Sequence, residues 1–85
     1  METSQLHQDI SKLLHWLCVE WGFCISHSDS ERIAKLQCIE ADEFAREVLI
    51  SEGMNPEFEL DWFRRIKNRF IQNFGTNSVD VSNYN

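Results

Sequence analysis

Residues 4–22, SQLHQDISKLLHWLCVEWG, decide the fold class. Leu6, Ile10, Leu13, Leu14, Leu17, Cys18 and Trp21 recur at the period of an α-helix over about four turns. Ser4 stands where an N-cap hydroxyl satisfies a free amide, and Gly22 followed by Phe23 has the form of a glycine stop with an apolar residue folding back. The segment predicts a helix over about 5–21.

The next segments follow the same period. Ser28 and Glu31 have capping-box spacing and open a short second helix over 29–37, with Ile33, Ala34 and Leu36 as its apolar stripe. Ala41, Phe44, Ala45, Val48 and Leu49 share one face of a third helix over 41–52, which Gly53 terminates. Asn55 as cap and Pro56 at the first helical position open a fourth over 56–74, with Phe58, Trp62, Phe63, Ile66, Phe70 and Phe74 at helical spacing. The remaining TNSVDVSNYN is rich in Ser and Asn, lacks periodicity and predicts a flexible tail. No segment alternates like a half-buried strand. The expectation is an all-α chain, a small irregular four-helix bundle forming one domain over 1–75, followed by a flexible C-terminal tail over 76–85.

Composition agrees with a folded chain. The 85 residues are 42% hydrophobic and include three Trp and six Phe, far more than a disordered segment carries. The net charge of −6 opposes nucleic acid and anionic membranes unless charge is sorted by face. Only residues 56–85 balance their charge, with four acids and four bases. An odd count of three cysteines and a polar N-terminus predict a cytoplasmic protein with reduced thiols. No apolar run reaches the roughly 18 residues of a membrane span.

The densest charge cluster is FELDWFRRIKNRF, residues 58–70. Within one helix, Trp62, Phe63, Ile66 and Phe70 point one way, and Arg64, Arg65 and Asn68 point the other. A stacking platform for bases needs aromatics beside its arginines, and this spacing separates them. Acids early and bases late in the segment also complement the helix dipole, so a solvated or protein-binding face accounts for the charges. Residues 31–49 have the order of a helix-turn-helix. Asp42 and Glu43 would however stand at the N-terminus of its second helix, where carboxylates oppose phosphate.

Cys18, Cys24, His27 and Cys38 have the composition of a zinc site, but no C-x2-C pair is present and Cys18 lies on an apolar helical face. No metal or other cofactor is expected. There is no nucleophile elbow, phosphate loop or paired His on a helical turn, so no enzyme is expected either. Asp29-Ser30 at a helix start resembles the carrier serine of acyl carrier proteins. The likeness covers two residues, departs at Glu31 where that family has an apolar residue, and carries no function over.

The sequence therefore reads as a non-enzymatic protein–protein interaction module, with Asp42, Glu43, Glu47, Arg64, Arg65 and Asn68 as candidate partner-binding residues. Homodimerisation is a related reading, with Trp16 at the edge of the first helix's apolar face as an anchor. The alternative is nucleic-acid binding through the basic face of the last helix.

Overall fold

A computed structural model describes residues 4–82 and 84. The elements are α1 (Gln5–Trp21), α2 (His27–Ala34), β1 (Cys38–Glu40), α3 (Ala41–Ser51), α4 (Leu60–Phe74) and β2 (Ser78–Asp80). The chain is thus mostly helical, with a two-stranded antiparallel sheet in addition.

The helix that carried the sequence reading has the predicted bounds. Ser4 Oγ accepts from the His7 amide at 3.1 Å, and Gly22 at φ +80° turns the chain back so that its amide reaches the Cys18 carbonyl. Leu6, Ile10, Leu13, Leu14 and Leu17 are all buried. The second helix starts two residues earlier than expected. Ser26 caps it, accepting from the Asp29 amide at 3.1 Å and donating its hydroxyl proton to the Asp29 carboxylate at 3.0 Å. Ser-x-x-acid spacing occurs twice in this stretch; Glu31 of the other copy instead lies 3.5 Å from His7 and 3.8 Å from Lys35.

The second helix also ends sooner, at Ala34, because the chain becomes extended and enters a sheet. Ile39 pairs with Val79 and both are buried between exposed or half-buried neighbours. Amides at Ala41 and Val81 donate to the carbonyls of Asn77 and Gln37 at 2.7 Å and close the ribbon at both ends. The strand-free expectation fails here, as does a tail flexible from residue 76. Val79 supplies core surface, and the Tyr84 hydroxyl donates to Asp9 on α1. Expectations for 83 and 85 lie outside the described residues. The link from α2 to α3, residues 35–40, contains a strand and is not the short turn of a helix-turn-helix.

The fourth helix begins at Leu60, not at 56. Asn55 still caps, accepting from the Glu57 amide at 2.9 Å, and Phe58 and Glu59 amides reach its carbonyl at 3.0 Å. Glu59 at φ −100°, ψ 54° then breaks the helical run. Pro56 fits the first turn of a helix and an isolated turn equally well, so spacing could not separate them. The break rotates Phe58 off the inner face and leaves it 82% exposed.

α3 packs chiefly on α4 and α1 on α2. Phe44 and Phe70, both fully buried, meet at 5.2 Å between ring centres. Burying each such side chain stabilises the fold by about 1.5–3 kcal/mol. Among the described residues no whole residue of polar or charged type is buried.

Candidate protein-docking surface

The six residues singled out by sequence fall on different parts of the surface and in different circumstances. Asp42 pairs with Lys67 at 2.8 Å, tying the start of α3 to the middle of α4. Glu47 accepts from Arg32 at 2.6 Å, and Arg32 also reaches Asp29 and Ser51 at 3.4 Å. The hydrogen bond that Arg32 donates to Glu47, against some loss of hydration, raises its guanidinium above the ordinary range, helped by the charge of Glu47 and by the hydrogen bond to Asp29 and its charge. Two of the three acids therefore serve contacts within the chain. Glu43, Arg64 and Asn68 are exposed, and their side chains make no hydrogen bond, ion pair or ring contact among the described residues.

Arg65 departs from the sequence reading. Its guanidinium lies over Trp62 at 5.0 Å, while Arg69 lies over Trp16 at 4.0 Å. Trp21 joins the two indoles, at 5.1 Å from Trp16 and 5.8 Å from Trp62. Spacing along α4 set Trp62 and Arg65 on opposite sides, yet the two meet one turn apart within that helix, and α1 adds its own tryptophans to the arginine side. The result is a shallow hollow of about 230 Å³ lined by Trp21, Arg65, Asn68, Arg69 and Gln72. Arg69 Nε is enclosed there without a hydrogen-bond partner. Trp16 is half-buried, as its edge position implied, and is covered by Arg69 and Trp21.

A larger groove lies elsewhere. A groove of about 560 Å³ runs between α3, the 55–58 turn and the start of α4, lined by Arg46, Ile50, Asn55, Pro56, Glu57, Leu60 and Phe63. Ile50 is 51% exposed and Leu60 55%, and Phe58 projects from the same turn. These are three of the four large apolar side chains that stand in solvent; Val19 on α1 is the other, among the described residues. Among the described residues, Arg46 and Glu57 on the groove have no ion-pair or hydrogen-bond partner for their side chains. Ile50 and Leu60 were legible as apolar residues off the inner stripes of their helices. Phe58 was not, because its direction depends on the break at Glu59.

Cys18 and Cys24 form a disulfide, their Cα atoms 4.3 Å apart, and Cys38 is free and exposed. The expectation of reduced thiols fails for this pair. The turn at Gly22 brings the two cysteines together, and the odd count resolves into one bridge and one thiol. Among the described residues no three His, Cys, Asp or Glu side chains group as a metal site. Nor is any described helix long and apolar enough to cross a membrane. No protein-family profile, curated protein or solved structure matches the chain.

Proposed function

We propose that this chain is a non-enzymatic protein–protein interaction module, an irregular four-helix bundle that docks partners through the groove between α3 and α4. The observation that carries this reading is the exposure of Ile50 and Leu60 in one groove, with Phe58 exposed on the turn whose residues 55–57 line it. Large apolar side chains clustered at a groove and rimmed by charge mark interaction surfaces, whereas single exposed ones do not. Helical spacing puts Glu43 one turn from Arg46 and Arg64 one turn from Leu60, so both are candidate rim contacts. Site-specific photo-crosslinking tests this. A photoreactive residue at position 58 is expected to give discrete protein adducts, and the same probe at Lys12 on α1 to give none. Equal labelling, or none at 58, defeats the reading.

A second reading, nucleic-acid binding, is favoured by one observation: Arg65 and Arg69 lie over indoles, and guanidinium planes stack on bases. The net charge of −6 opposes it. It requires quenching of tryptophan fluorescence by a single-stranded oligonucleotide that falls steeply with salt. Absence of quenching at low salt removes it.

A further inference from the structure

Resting on the docking reading, we infer that the occupant of the groove is a second copy of this chain, joined about a two-fold axis. The charge pattern of the groove selects this occupant. Arg46 and Glu57 line the same groove, carry opposite charge, and have no ionic partner among the described residues. In an isologous interface residue i of one copy meets j of the other, and j meets i. A groove lining with one unpaired cation and one unpaired anion is its own electrostatic complement under that operation, and Glu43 and Arg64 on the rim keep the same balance. A partner of uniform charge would match one and be repelled by the other.

The apolar component has the same symmetry. Phe58, 82% exposed, stands on the turn bordering the groove that Ile50, Leu60 and Phe63 line. Two-fold pairing lets Phe58 of each copy enter the groove of the other. Buried aromatic anchors of this kind dominate interface energetics. A standard interface takes roughly 800 Å² from each partner. That is roughly 15% of the chain's 5438 Å², so the rim is counted with the projecting side chains.

The test uses the full chain and its mass in solution, measured by light scattering from micromolar to millimolar concentration. The expected result is a dimer whose dissociation constant rises about tenfold or more in Arg46→Glu and again in Glu57→Arg, since each variant places like charges opposite one another twice. Mixing the two single variants is expected to restore a heterodimer to within about threefold of the original affinity, because both cross-axis pairs are then Glu against Arg. Phe58→Ser is expected to weaken the dimer while leaving the helical circular dichroism unchanged. A strictly monomeric mass at millimolar concentration overturns the inference. So does a dimer indifferent to both charge reversals and to their mixing. If the mass is monomeric while the probe at position 58 still captures another protein, the docking reading survives and the second copy is excluded. If the probe captures nothing and the mass is monomeric, both fail.

Discussion

The two ends of α4 carry similar side chains in opposite surroundings. Toward its C-terminus Phe70 is fully buried against Phe44, Phe74 packs on Phe70 at 4.7 Å, and Tyr84 covers Phe74 edge-on at 6.0 Å. At its N-terminus Phe58 and Leu60 stand in solvent. Apolar content is alike at both ends; what differs is whether the chain returns to cover it. After Gly75 the chain turns back, pairs β2 with β1, and anchors Tyr84 on Asp9. Before Leu60 it makes one turn and leaves. An apolar end that its own chain does not cover is the end where a partner gains most by binding.

The largest effect should come from exchanging aromatics for alanine at the two ends. Phe70→Ala removes a fully buried ring and is expected to cost about 3–5 kcal/mol, read as a fall in the urea midpoint, with Phe70→Leu as the milder variant if the first does not fold. Phe58→Ala, measured at dilute concentration, is expected to stay within about 0.5 kcal/mol of the parent. Comparable losses at both positions would break the comparison, because they would mean that Phe58 packs against its own chain.

The middle of α4 sharpens it. Trp62 is wedged against Trp21 and Phe23, at 5.8 and 4.9 Å, and these residues lie inside the loop closed by Cys18 and Cys24. Chain entropy for so short a loop gives the bridge about 2 kcal/mol. Cys18→Ser with Cys24→Ser is therefore expected to lower stability by that amount and to shift tryptophan emission to the red as Trp62 gains solvent. No change in either would mean that packing alone holds this contact, and that cover by the chain needs no covalent support.

How much of this was legible follows from the range of the interactions. The bounds of α1 rest on Ser4, Gly22 and a stripe within one segment, all local, and the structure keeps them. The same holds for the inner face of α3, whose Ala41, Phe44, Ala45, Val48 and Leu49 are buried as their spacing required. The ribbon was hidden because three-residue strands offer a single alternation, and Ile39 finds its partner at Val79 far along the chain. The arginine face was misjudged for two reasons: the long Arg65 side chain reaches back over Trp62 one turn away on α4, and the indole beneath Arg69 belongs to α1, which no periodicity within α4 reveals. At the groove, Arg46 and Glu57 could be seen as charges but not as neighbours, since the 55–58 turn decides their proximity.

The smallest effect concerns the last contact of the covered end. Burial first, and then the hydrogen bond and charge of Asp9, push the Tyr84 hydroxyl from its ordinary 10.0 up to about 12. The folded chain thus holds this proton more tightly than the unfolded chain, so the contact contributes fully below pH 10 and is lost as pH rises toward 12. Tyr84→Phe keeps the ring on Phe74 and removes the donor. It is expected to cost about 1 kcal/mol near neutral pH, with the gap to the parent narrowing between pH 10 and 12 in chemical unfolding. A gap that stays constant across that window would assign the closure of this end to apolar contact alone. The difference between the ends of α4 would then lie in shape and area, with no contribution from the polar anchor on α1.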